Sequence, residues 1–326
     1  MFLADKNRIR PRKLYFNEAA LRRVPPNHPK IHFIAEDSRR REAGYAGEKR
    51  VDTILENLPK KNYHILQGLR LANEAESHFQ IDNVLLSPTH LLTIEVKNLA
   101  GELTFDRKAG QLIQKIDNKK NGYEDPLLQA ELQIYQLRDW LKKHQFPDMP
   151  LEHLVVMINQ NCILKFDGYT IAEQFRVCRG RQVLPRIDTI SNQHGPDVLN
   201  PAMIRKLSRL LIKNDTEPSF DIEKIYKISR AGLRNGVFCP DCKCLGMSYH
   251  HGSWFCPRCK CQSRDAHLPA LRDYFLLWGP EITNRQFRDF LCIDSVHKAS
   301  KMLKKLNLPS IGTKKQRVYQ LSFNIF

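Results

Sequence analysis

From Gly47 onward the apolar residues fall into patterns that name their own elements. Val51, Ile54, Leu55 and Leu58 recur three and four apart, which is one stripe of a helix, and Pro59 stops it. Dense apolar runs follow at Tyr63–Leu71, Phe79–Leu86 and Leu91–Lys97. These read as strands, with Ser87-Pro88-Thr89 turning the second into the third. Gly101–Phe105 and Gln111–Ile116 are expected to extend the same sheet. Asp125-Pro126 opens a second helix, with Pro126 suited to its first turn. Its expected buried face is Leu128, Leu132, Tyr135 and the Trp140-Leu141 pair. Leu154–Ile158 is a compact apolar run of the kind a buried strand needs. Helix, three strands, helix, strand is a mixed α/β core.

Outside that core the pattern is sparser. Residues 1–42 read as a basic arm or short helix, broken at Pro25, Pro26 and Pro29 and followed by Arg39, Arg40 and Arg41. Residues 166–235 read as an extension and linker, with a helix at Pro201–Ile212 and a linker at Asn214–Ser219. One local repeat follows: Phe238-Cys-Pro-Asp-Cys-Lys-Cys returns as Phe255-Cys-Pro-Arg-Cys-Lys-Cys, inside a cysteine-rich module at 236–264. The last module, 270–326, begins with a helix carrying Phe287, Phe290 and Leu291 behind Thr283 as its N-cap. Ser295 opens a second helix, apolar at Ala299, Met302, Leu303 and Leu306 and basic on its other faces. Leu308–Ile311 and Arg317–Leu321 then read as two short strands around a basic turn.

Composition sharpens this picture through charge. The 326 residues carry a formal net charge of +17, a field that concentrates polyanions. Nucleic acid is the first partner to consider, an anionic membrane surface the second and a merely solvated basic surface the third. No apolar run is long enough to span a bilayer, and the first sixteen residues lack the apolar stretch of a signal peptide. Six of the nine cysteines cluster between Cys239 and Cys261. Clustered thiols without an export signal point to metal binding in the cytoplasm.

The candidate chemistry lies on the second and third strands. Side chains alternate along a strand, so Glu95 and Lys97 share a face while Val96 points to the core with Ile94. Asp82 precedes Glu95 by a twelve-residue interval that suits a hairpin. Two carboxylates held close repel unless a cation sits between them, and hard oxygen ligands suit Mg²⁺ or Mn²⁺. Such a cation polarises a phosphoryl oxygen and activates water, with Lys97 placed to steady the water or the developing charge. Glu48, beside Gly47 on the first helix, can add an outer ligand through water, and Gln129 on the second helix can hold Lys97. The alternative reading is a set of polar residues on an edge strand.

Four stretches carry a resemblance. Gly44-Tyr45-Ala46-Gly47-Glu48, Phe79 to Leu86 around Asp82, Ile94-Glu95-Val96-Lys97-Asn98 and Asp125-Pro126-Leu127-Leu128-Gln129 resemble, in order, the motifs of the NERD (nuclease-related) domain. That domain is similar to the PD-(D/E)XK nuclease superfamily, and the resemblance covers roughly residues 40–165, giving a domain at 43–165. It implies a restriction-endonuclease-like mixed sheet flanked by helices, a Mg²⁺-dependent site and processing of DNA. It also implies that Glu48, Asp82, Glu95, Lys97 and Gln129 are the site residues. The superfamily's proline before the aspartate is absent, and Ile81 stands there. Some superfamily members bind without cutting, so a non-cleaving DNA-binding or regulatory protein is the alternative function, and an RNA-directed enzyme a third.

Cys239-x-x-Cys242 and Cys256-x-x-Cys259, thirteen residues apart, can form two tight turns around one tetrahedral Zn²⁺. Such a module looks like a zinc ribbon, with Tyr249 and Trp254 as its small core and the metal supplying folding energy. Cys244 and Cys261 are alternative ligands, and two dithiols are the non-metal reading. His250 and His251 are expected to face solvent or DNA. The C-terminal order of helix, turn, basic helix and hairpin looks like a winged helix-turn-helix, whose second helix enters the major groove. Ser295, His297 and Lys298 are its candidates for base contact, with Lys301, Lys305 and Arg317 for phosphate. A solvated basic face on a protein-interaction domain is the alternative.

Overall fold

The computed structural model describes residues 5–59, 62–73, 77–313 and 316–323. The chain divides into two compact units, one of Met1–Arg10 with Arg41–Glu217 and the other of Pro11–Arg40 with Pro218–Phe326.

Helix α1 covers Arg12–Arg23 and helix α2 covers Ile31–Leu55, so the proline cluster falls between them. The sequence pattern places the start of α2 near Gly47. It starts sixteen residues earlier because Ala35, Glu36, Arg39, Arg40, Arg41, Glu42 and Ala43 are good helix formers that bury no stripe.

In the first unit, β1 (His64–Ala72), β2 (His78–Leu86) and β3 (Leu91–Lys97) form the expected antiparallel meander. Strands β4 (Gly101–Asp106), β5 (Gln111–Ile116) and β6 (Lys119–Glu124) come next, then helix α3 (Pro126–Lys143), β7 (Leu151–Met157) and β8 (Cys162–Asp167). Helix α4 (Ile171–Phe175), β9 (Val177–Arg179), α5 (Val183–Ser191) and α6 (Pro201–Lys213) complete the unit. The main sheet runs β1-β2-β3-β7-β9, with β7 and β9 parallel to β3. Val51 and Leu55 of α2 and Ile187 and Ile190 of α5 cover one face, against Val96 and Val156. Leu137 and Leu141 of α3 and Leu207 and Leu211 of α6 share a core with Leu69, Ile81 and Leu91.

Two expectations need correction. Strands β4 and β5 do not extend that sheet; with β6 and β8 they form a second one, ordered β6-β5-β4-β8. The chain leaves β3 through Gly101, whose φ is +87° and where a Cβ would lie 2.5 Å from the Lys115 carbonyl oxygen. Only glycine turns there. The first turns of α3 also bury a different face from the expected one, while Trp140 and Leu141 are buried as expected. Leu127, Ala130, Ile134, Leu137 and Leu141 are inside, while Leu128, Leu132 and Tyr135 are 39–62% exposed. The register follows from the N-cap: Asp125 accepts the Leu127 N–H at 2.8 Å, and its second oxygen accepts the Tyr169 hydroxyl at 2.6 Å. That anchor turns Leu127 inward.

The second unit contains α1, α7 (Ile222–Tyr226), the small sheet β10 (Ser248–His250), β11 (Ser253–Phe255) and β12 (Gln262–Ser263), and α8 (His267–Trp278). Strand β13 (Glu281–Thr283), helices α9 (Asn284–Leu291) and α10 (Val296–Lys305), and strands β14 (Ser310–Ile311) and β15 (Val318–Gln320) end it. Within residues 1–42, α1 buries Phe16, Ala19 and Ala20 with Ile222, Leu276 and Leu277. Its Arg23 is fully buried. The guanidinium reaches Asp273 Oδ2 at 2.9 Å and the Gly236 carbonyl at 2.7 Å, between the rings of Phe238 and Phe290.

Candidate functional site

The β2–β3 register pairs Asn83 with Ile94, which sets Asp82 and Glu95 one step further out on adjacent strands. There Asp82 Oδ2 accepts the Val96 backbone N–H at 2.9 Å, so a carboxylate takes the place of a strand carbonyl. Glu95 is 4% exposed, and both of its oxygens are engaged. Oε1 accepts from Lys97 Nζ at 2.6 Å and Oε2 from Gln133 Nε2 at 2.8 Å. Lys97 also donates to Gln129 Oε1 at 2.8 Å. Helix α3 therefore presents two glutamines, one to the base and one to the acid of the Glu95/Lys97 pair.

Glu48 approaches from α2, and its partner is a residue the sequence reading missed. Arg8 Nη1 donates to Glu48 Oε2 at 2.6 Å, and Nε and Nη2 reach Asp52 at 2.7 and 3.1 Å. Nη2 also reaches the Asp82 carbonyl at 2.7 Å. The Arg8 side chain is only 5% exposed, so this is a buried charge fork, not a surface pair. Spacing signals existed for two of the missed residues. Asp52 follows Glu48, and Gln133 follows Gln129, by one helical turn. Nothing local marks Arg8, which is separated from Glu48 by some forty residues in a stretch that reads as surface charge.

The electrostatics are strained. Burial, then the charges of Glu95 and Glu48, hold the Asp82 carboxyl well above the usual carboxylate range, against the opposing pull of Arg8. Burial also raises Glu48, with Arg8 pulling it back and Asp52 and Glu95 adding to the rise. A cluster of like charges in a dry place is what a divalent cation relieves. Carboxylate oxygens are the donors Mg²⁺ and Mn²⁺ prefer, and each engaged oxygen keeps a second lone pair, so the residues present fit such an ion. Glu48, Asp82 and Glu95 do not all converge, however. Among the described residues, the four cysteines below are the group of three or more ligands whose atoms all lie within 4.8 Å.

Comparison with known families gives the same segment a name. Residues 43–158 match the family model described as the nuclease-related domain, NERD. These residues resemble a nuclease-related domain. An uncharacterized protein of Bacillus anthracis is 32% identical over 104 residues, which is 32% of this chain and 49% of that relative. The chain spans about half the length of the relative it matches. No solved structure matches the chain. Asp82, Glu95, Lys97, Gln129 and Glu48 all lie inside the matched residues, and Arg8 lies outside them.

The cysteine module converges. Cys239 Sγ is 3.5 Å from Cys259 Sγ, and Cys242 Sγ is 3.6 Å from Cys256 Sγ. The two turns are copies. Lys243 and Lys260, each after its CxxC, take positive φ of 57° and 62°, and each donates its N–H to the first cysteine's carbonyl at 3.1 Å. Cys244 and Cys261 serve through their backbones, accepting the N–H of Cys239 and Cys256 at 2.9 Å. Burial opposes ionisation of Cys239, but the N–H groups of Cys242 and Asp241 bring its thiol down to about 6. His250 and His251 are exposed and outside the thiol group.

In the last module, Thr283 caps α9 with a capping box to Gln286, and the Ser295 hydroxyl caps α10 by accepting the Lys298 N–H at 3.3 Å. Ser295 is thus occupied as a cap. His297, Lys298, Lys301 and Lys305 are exposed on α10, and Arg317 is half-buried beside β15. Strand β15 pairs with both β13 and β14, giving helix, strand, two helices and two strands in order. No helix among the described residues is long and apolar enough to cross a membrane.

Proposed function

We propose that this protein is a divalent-metal-dependent nuclease that hydrolyses DNA phosphodiester bonds. The observation that carries the reading is the wiring of Glu95: a buried carboxylate between Lys97 and Gln133, beside an Asp82 whose charge it opposes. Asp82 and Glu95 would hold Mg²⁺ or Mn²⁺, with Glu48 acting through water. When bound, the ion polarises a phosphoryl oxygen and lowers the pKa of a water. Lys97, oriented by Gln129, places a positive charge where negative charge develops at phosphorus. Gln133 fixes the Glu95 carboxylate plane.

The four thiols would hold Zn²⁺. Tetrahedral bonds of about 2.3 Å set sulfurs about 3.8 Å apart, close to the spacing observed. A thiol cluster that holds Zn²⁺ fits a reducing compartment, the cytoplasm. The exposed lysines of α10 are the proposed phosphate contacts, with His297 at its first turn for base contact.

One observation favours the alternative of a DNA-binding protein that does not cut. Arg8 already supplies a buried cation to Glu48 and Asp52. The two readings separate on incubation of the full chain with single-stranded, duplex and branched DNA, with and without Mg²⁺ or Mn²⁺. Cutting that requires the added ion supports the nuclease. Binding of any of these DNAs with no cutting in either ion rejects it for the alternative.

A further inference from the structure

Strands β3, β7 and β9 run parallel and end side by side, with Lys97 in register with Met157 and Met157 with Arg179. Two strand spacings put the Arg179 backbone roughly 10 Å from that of Lys97. Ligands of parallel sheets bind in crevices at this carboxyl edge. A cleft of about 950 Å³ opens here, between the C-terminal half of α2 and the start of α5. Arg50, Arg179 and Arg181 line it, and no carboxylate does. Its floor is apolar, from Ile54, Ile158 and Leu184. A second hollow of about 520 Å³ shares Arg179 and Gln182 with the first and adds Phe175, over whose ring the Arg186 guanidinium sits at 3.9 Å.

The cleft wall reaches the end of β3, the strand that carries Glu95 and Lys97. Asn159, on its wall, donates to Asn98 Oδ1 at 3.1 Å, and Asn98 follows Lys97. Helix α2 seats against that point through Gly47, where a Cβ would lie 2.7 Å from Asn98 Cβ. Glu48 and Arg50 stand on the same turn of α2, one toward the acids and the other toward the cleft.

We propose that this cleft is the track for a single-stranded nucleic-acid segment next to the phosphate at Lys97, a proposal that rests on the nuclease reading. Arginines on the rim match phosphates. An apolar floor with an aromatic ring beyond it matches unpaired bases, the combination that single-strand sites use. A duplex keeps its bases stacked inside and would leave that floor unfilled. Arg179 gives one donor to the Gln160 carbonyl at 2.6 Å and keeps others for a phosphate.

The test is fluorescence anisotropy of the full chain with a labelled 15-nucleotide oligothymidylate and with a duplex of equal length. It is run without added divalent metal over a salt series. Arg50 and Arg181 are exposed, so the Arg50→Ala/Arg181→Ala variant is expected to keep the wild-type melting temperature. Single-strand affinity should fall at least tenfold in that variant. The slope of log affinity against log salt should shrink by about 1.4, two phosphates at about 0.7 each. Lys119→Ala/Lys120→Ala, as a reference pair exposed on β6 and outside the cleft lining, should leave single-strand affinity within about threefold. Wild type that ignores the oligothymidylate, an Arg variant that binds it normally, or an equal loss on the duplex each overturns the proposal. An Arg variant that binds normally yet cuts with Mg²⁺ rejects the cleft and keeps the nuclease. A selective single-strand loss in a chain that never cuts keeps the cleft as a binding site and rejects the nuclease.

Discussion

Arg8 Nη1 donates to Glu48 Oε2 at 2.6 Å, with the arginine side chain 5% exposed. The same guanidinium holds Asp52, so one buried cation separates two acids that stand one turn apart on α2. Removing one partner of a buried pair strands the other charge. Arg8→Ala should therefore cost about 3–5 kcal/mol in urea unfolding. Arg8→Lys should recover part of it, because a lysine keeps the charge and loses the fork. Mg²⁺ should raise the melting temperature of Arg8→Ala more than that of wild type, since the variant has an uncompensated acid pair. A variant within about 1 kcal/mol of wild type would show that the fork contributes little.

Metal analysis tests the cysteine module. About one zinc per chain is expected, lost in Cys239→Ser and kept in Cys244→Ser and Cys261→Ser. Those two residues support the turns through their carbonyls, which serine retains. Zinc loss from Cys244→Ser would move the site onto a different thiol set.

How much of this was legible follows from where each signal lies in the chain. Asp82, Glu95 and Lys97 stand on apolar runs dense enough to be strands, and hairpin distance sets the register, so their placement on adjacent strands could be read from spacing. The capping of α9 and α10 was legible because Thr283 and Ser295 act on residues three positions away. The face of α3 was not, because a long-range bond from Tyr169 to Asp125 anchors its first turn. Leu128, Leu132 and Tyr135 make as good a stripe on paper as the one that is buried. The second sheet was hidden for a similar reason: β8 pairs with β4 from about sixty residues away. Arg8 illustrates the limit, since a charge's burial depends on partners that the local sequence does not show.

His90 should make stability depend on pH. It is 1% exposed, its ring stacks on His194 at 4.7 Å, and its Nδ1 lies 3.0 and 2.9 Å from the Ser87 and Thr89 hydroxyls. Burial, then the neighbouring His194, lowers its pKa from 6.5 to about 4, against the pull of Glu152. The unfolded chain thus binds a proton that the folded chain refuses. Stability from this group is complete above about 6.5 and is lost as pH falls toward 4. His90→Gln keeps hydrogen bonding and cannot titrate. It should flatten the slope of unfolding free energy against pH in this window by up to about 1.4 kcal/mol per pH unit. An unchanged slope would assign the pH dependence to other groups, His153 foremost, which burial also lowers to about 4.

The most direct test of the nuclease account is the ratio of DNA-cleavage rates between wild type and Lys97→Ala, measured in Mg²⁺ on the substrate that wild type cuts best. Lys97 bridges Glu95 and Gln129 at 2.6 and 2.8 Å, so its loss removes the positive charge beside the acids. The account predicts that the variant keeps its fold and cuts about 10²–10³-fold more slowly. Equal rates for the two chains would contradict it.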